Sequence, residues 1–160
     1  MFRALVLATA LALASVGTAT AQDAGRSNID SGVAAYDRGE YTEAVRLWRM
    51  AADQGNLLAQ YNLGVMYLVG RGVPQNDAEA VRWYRMAADQ GFTLAQRNLG
   101  FMYENGRGVP QNYAEAYKWY TLSAAQGNAV AVTYRDRVLG KMTPAQIAEG
   151  QRLVAAWRPR

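Results

Sequence analysis

An all-α solenoid of about eight helices, stacked as antiparallel pairs, is what this sequence predicts, and three observations carry it. Residues 44–79 and 80–115 agree at 27 of 36 positions. A period of about 20 to 50 residues marks supersecondary units that stack on one another. Glycines break each block at the same places, leaving segments of about 12 residues with apolar side chains at helical spacing. No segment alternates with the period of two that a half-buried strand shows.

The elements follow in chain order. Residues 1–3 give a short positive start, residues 4–16 an apolar run, and Ala19-Thr20-Ala21 a small-residue close. This layout is a signal peptide over residues 1–21, with cleavage after Ala21. A membrane-spanning helix needs roughly 20 apolar residues, more than this run supplies. The chain is therefore expected to be exported, periplasmic or secreted, with no membrane insertion after cleavage. Residues 22–28 are polar and read as a linker, ahead of a solenoid over 29–157.

Within the solenoid, residues 29–56 form a first pair broken near Arg38-Gly39-Glu40. Two repeats follow, at 57–91 and 93–127, then a C-terminal pair and capping helix at 129–157. Helices are expected at 57–69, 77–90, 93–105, 113–126 and 129–140. Gly55, Gly91 and Gly127 close the preceding helices, as C-terminal glycines do. Gly70-Arg71-Gly72-Val73-Pro74 and Gly106-Arg107-Gly108-Val109-Pro110 break the chain between them. A looser third copy starts at Ala116. Thr143-Pro144-Ala145-Gln146 joins an N-cap, a first-turn proline and a capping-box glutamine. The helix after it should turn Ile147, Leu153, Val154 and Trp157 inward and close the stack. Gly64 and Gly100 fall inside helices, where glycine costs roughly 1 kcal/mol relative to alanine. That cost implies a close helix approach at both.

Composition narrows the function. Without residues 1–21 the chain has 139 residues and a net charge of +3, with the charges interspersed. This is a solvated surface and not a nucleic-acid footprint. Cysteine and histidine are absent, which removes disulfides, the usual zinc ligands and the Ser-His-Asp and Cys-His arrangements. No cofactor or metal is expected, and only carboxylate chemistry stays open to an enzyme. The Gly-Arg-Gly-Val-Pro loops lack the strand and Lys-Ser/Thr that make a phosphate loop. Trp83-Tyr84 and Trp119-Tyr120 recur at one unit position, which suits inter-helix packing better than base stacking. Glu40, Glu43, Glu79 and Glu115 sit near helix starts, where a carboxylate favours the dipole.

The pattern Ala-x-x-Trp-Tyr-x-x-Ala-Ala-x-x-Gly runs from Ala80 to Gly91. Ala-Gln-x-Asn-Leu-Gly-x-Met-Tyr follows from Ala95 to Tyr103, and Gly-x-Gly-Val-Pro from Gly106 to Pro110. These motifs resemble the Sel-one-like repeat (SLR) family, a relative of the tetratricopeptide repeats. Gly32, Tyr41, Ala44, Trp48 and Ala51 resemble the latter more closely. The resemblance implies a right-handed α-solenoid that binds peptides or protein surfaces, often as an adaptor. One branch, with a disulfide in each repeat, binds or slowly hydrolyses penicillins. This chain departs from that branch in having no Cys and no Ser-x-x-Lys motif.

Comparing the two copies points to a working surface. In the first helix of each unit the differing positions are 61/97, 65/101, 68/104 and 69/105, which share one face. In tetratricopeptide-type repeats the first helix lines the concave groove. The groove is therefore expected to present Tyr61, Val65 and Leu68 beside Arg97, Phe101 and Glu104, with Thr133 and Arg137 further along. Aromatic side chains with arginine nearby suit a peptide anchor. The expected function is a non-catalytic scaffold or adaptor of the cell envelope, with an unidentified protein or peptide as partner. The alternative is an envelope hydrolase or glycan-binding protein acting on cell-wall material.

Overall fold

The computed structural model describes residues 21–160 of the chain. The expected signal segment lies almost wholly outside the described residues. Eight helices follow one another: α1 (Ala21–Asp37), α2 (Tyr41–Asp53), α3 (Leu57–Val69), α4 (Asp77–Asp89), α5 (Thr93–Asn105), α6 (Tyr113–Ala125), α7 (Ala129–Leu139) and α8 (Pro144–Ala156). Among the described residues there is no strand. Helix ends fall where the small polar residues and glycines place them. The side chains of Asn56, Asn76, Asn112 and Asn128 accept backbone N–H groups at the starts of α3, α4, α6 and α7. Gly70 and Gly106 close α3 and α5 in the left-handed conformation. Thr143 and Gln146 complete the capping box of α8.

One boundary differs from expectation. Residues 22–28 belong to α1 rather than to a linker. Ala, Gln and Arg are good helix formers and no proline intervenes, so the helix held by buried Ile29 extends toward the N-terminus.

The stack is held by three kinds of contact. The first is an aromatic ring of each second helix lying on a glycine of the first. A methyl on Gly64 would meet the Tyr84 ring at 2.5 Å, and one on Gly100 the Tyr120 ring at 2.7 Å. Trp48 covers Gly32 in the same way. The cost of an interior glycine is thus offset by burying an entire aromatic ring. The second contact is loop on helix. Gly72 packs on the backbone of Tyr41 and Thr42 at the start of α2, and Gly108 on Asp77 and Ala78 at the start of α4. Arg107 fixes the latter seat through two hydrogen bonds to the Asp77 carboxylate, of 2.9 and 3.0 Å. The third is a buried amide chain. Gln90 donates to Gln60 and Gln126 to Gln96, each at 2.8 Å, while Gln60 and Gln96 donate to the Ala52 and Ala88 carbonyls. Each buried amide is satisfied within the stack.

α8 closes the stack differently from expectation. It packs on α6 and forms no hairpin with α7. Gly150 is its buried residue, against Tyr117 and the Ala114 carbonyl, while Ile147, Leu153, Val154 and Trp157 are only half-buried. Absence of a side chain at Gly150 lets the helix lie flush on α6, so its larger residues sit along the margins of the contact. Trp157 reaches the cluster shared by α4, α5 and α6, and the Arg160 N–H donates to the Asp89 carbonyl at 2.9 Å.

Candidate partner-binding face

The first helices of successive pairs, α1, α3 and α5, carry the residues that compose this face. Between α1 and α3 lies an open cleft of about 310 Å³, lined by Val33, Tyr36, Trp48, Tyr61, Asn62, Val65 and Met66. Val33 is 42% exposed. Trp48 and Met66 are buried and make the floor, and Tyr36 and Tyr61 are half-buried walls. An apolar cleft of this size with a single amide suits one bulky side chain plus a hydrogen bond to its backbone.

The structure divides the eight expected groove residues. Tyr61 and Val65 share the cleft. Arg97 and Phe101 stand on α5, both half-buried, with Arg97 donating to the Asn98 side chain at 3.2 and 3.3 Å. Leu68 packs against the α4–α6 cluster. Thr133 is exposed and its hydroxyl bonds back to the Ala129 carbonyl within α7.

Arg137 is exposed and pairs with Glu104, and it is Glu104 that requires a correction. Glu104 is only 3% exposed, so it is not presented to a partner. Its carboxylate accepts from Arg137 at 2.5 and 3.1 Å, from Lys141 at 3.0 Å and from the Tyr120 hydroxyl at 2.8 Å. The physical reason is that a buried carboxylate must be paired, and the next unit supplies the cations. The cluster ties α7 and the turn after it to α5 and α6. Burial alone would raise the Glu104 carboxyl, but these three donors outweigh it and hold the group below the usual carboxylate range. Burial and the contact with Glu104 push the Tyr120 hydroxyl up, so it stays a donor. Copy-to-copy variation at 68/104 therefore marks the joint between repeats.

A second correction concerns Tyr61. It is expected above as a groove residue, but its ring also packs inward, 5.4 Å from Phe92 and 5.9 Å from Tyr84, centroid to centroid. One side of the ring belongs to the core and the other to the cleft.

Val33, Tyr36 and Asn62 were not among the expected residues. Asn62 is identical to its counterpart Asn98, so a search for differences passes over it. Val33 and Tyr36 lie in the divergent first pair, outside the two compared blocks. Among the described residues, no three of His, Cys, Asp and Glu gather as metal ligands would. No helix among them is long and apolar enough to cross a membrane.

A stack of helix pairs joined through loop seats, with an open cleft on its first-helix face, defines a helical-repeat scaffold. The Sel1 repeat model matches residues 33–56, 57–92 and 93–128, and the chain belongs to the Sel1 repeat family. Repeats of this family generally mediate protein–protein interaction, and its members are typically non-catalytic scaffolds. The fold is similar to that of a protective antigen of uropathogenic Escherichia coli strains that displays an SLR fold, with a TM-score of 0.79 and 30% identity. That similarity covers 83% of this chain and 29% of the antigen, so the chain spans less than a third of its length. A Sel1 repeat protein from Oxalobacter formigenes is 38% identical, with a TM-score of 0.59, over 71% of this chain and 95% of that one. No curated protein matches the chain.

Proposed function

We propose that this protein is a non-catalytic scaffold of the bacterial cell envelope that holds a protein or peptide on its first-helix face. The observation that carries this reading is the cleft between α1 and α3. Three aromatic side chains, Tyr36, Trp48 and Tyr61, surround an open apolar space with one amide, Asn62, at its wall. Binding energy concentrates where aromatic surfaces enclose a desolvated anchor. The one buried carboxylate among the described residues, Glu104, is occupied by three donors, which favours a scaffold over acid–base chemistry.

A photo-crosslinking amino acid placed at position 101 should yield a defined protein adduct in cells. The same group at Arg82, exposed on α4 away from the cleft, should yield none. Val33→Asp should abolish the adduct from position 101 while leaving the thermal melt unchanged, because Val33 is largely exposed. Equal adducts from both positions, or insensitivity to Val33→Asp, would overturn the assignment.

Export is supported by the charged, apolar and small-residue succession of residues 1–21. N-terminal sequencing of protein recovered from the periplasmic fraction should start at Gln22. Retention of Met1 in cytoplasmic protein would refute export.

A further inference from the structure

The charge on the first-helix face is uneven along the stack. α3, which forms one wall of the cleft, carries no charged side chain. On the α5 and α7 side, Arg97 bonds only to the neutral Asn98 side chain. Arg137 and Lys141 share the single Glu104 carboxylate, and Asp136 is taken by Arg135. That side therefore keeps positive charge that no carboxylate of the stack neutralises. Arg137 and Lys141 are 45% and 46% exposed, so their charge reaches solvent. At the other wall α1 exposes Asp30 and Asp37. At the rim there, Arg71 donates to the Tyr36 hydroxyl at 2.9 Å.

We propose that the partner is a protein segment whose bulky apolar side chain enters the cleft and whose carboxylates lie on the flank that runs over α5 and α7. This rests on the cleft being the binding site, as argued above. Arg97 occupies on α5 the position that Tyr61 occupies on α3, one 36-residue repeat earlier. A chain leaving the cleft toward α5 thus meets Arg97 first and the Arg137–Lys141 pair next. Acidic residues on that flank gain attraction, and basic ones meet like charge. Toward α1 the exposed Asp30 and Asp37 offset the charge of Arg71, so no surplus of positive charge draws carboxylates there and the acidic stretch lies on one side of the anchor. The charge is too local, and too close to acidic residues, for the long basic stripe a nucleic acid requires.

The test is selection of a displayed library of random twelve-residue peptides on the purified protein. Enriched peptides should carry one bulky apolar residue with Asp and Glu on one flank, enriched about threefold or more over the unselected library. Arg97→Glu should cancel the surplus positive charge and abolish the acidic preference on that flank, and should weaken a selected acidic peptide about tenfold at low salt. Val33→Asp should remove enrichment altogether. Apolar peptides enriched with no charge bias, yet still lost in Val33→Asp, would overturn the acidic flank and leave the cleft standing. No enrichment over the Val33→Asp control would overturn both.

Discussion

Gly108→Ala is expected to destabilise this protein by about 2–4 kcal/mol, the combined cost of a left-handed backbone and an overpacked contact. Gly108 has a φ of +68°, and its added methyl would also meet the backbone of α4, with the Ala78 nitrogen 2.8 Å away. Neither partner can give way, because both atoms are main chain and Arg107 holds the loop to Asp77 beside them. The melting temperature should fall by about 10 °C for a domain of this size. Gly127→Ala separates the two causes. Its φ of +89° is at least as unfavourable, but nothing lies within 4 Å of the added methyl. That variant should lose only about 1 kcal/mol, the backbone cost alone. Equal losses in the two would show that the loop seat contributes nothing.

Replacing Glu104 by Gln should cost about 2–3 kcal/mol at neutral pH, since removing one partner from a buried ion cluster leaves the others unpaired. The figure is below that for a fully buried pair because Arg137 and Lys141 are nearly half exposed and regain water. The loss should also depend on pH with a definite sign. The native Glu104 carboxyl lies below its ordinary value of 4.5. Its contribution is therefore complete above pH 4.5 and declines as the pH falls through the lower native value. Urea unfolding of wild type and Glu104→Gln should differ most at pH 7 and converge on acidification. A difference that stays constant with pH would mean that Glu104 acts through shape and not through charge.

The sequence made the helices legible because their ends are written in residues with direct backbone consequences. Gly55 and Gly91 adopt positive φ, and Thr143 and Gln146 form the capping box that their spacing predicts. Gly64 and Gly100 announced close approach by being unfavourable where they stand. The working face was legible only in part. Comparison of two copies finds positions that vary, but a varying position lies on the open cleft, as at 61 and 65, or in the joint with the next repeat, as at 104. Only geometry separates these, since Arg137 and Lys141 lie 33 and 37 residues from Glu104. The α1 wall was missed because Val33 and Tyr36 come from a pair too divergent to align with the other two.

The seat of α8 bears on how the molecule meets its own copies. Gly72 sits on the start of α2 and Gly108 on the start of α4; Gly150 lies beside the corresponding place on α6, against the Tyr117 ring and, one residue past that place, the Ala114 carbonyl. A repeat stacked after this one, whether in the same chain or in a neighbouring molecule, would need that place for its own loop. Open head-to-tail contacts between identical subunits extend into filaments unless something blocks them. Here α8 covers the start of α6, so the loop of a further repeat can seat there only by displacing it.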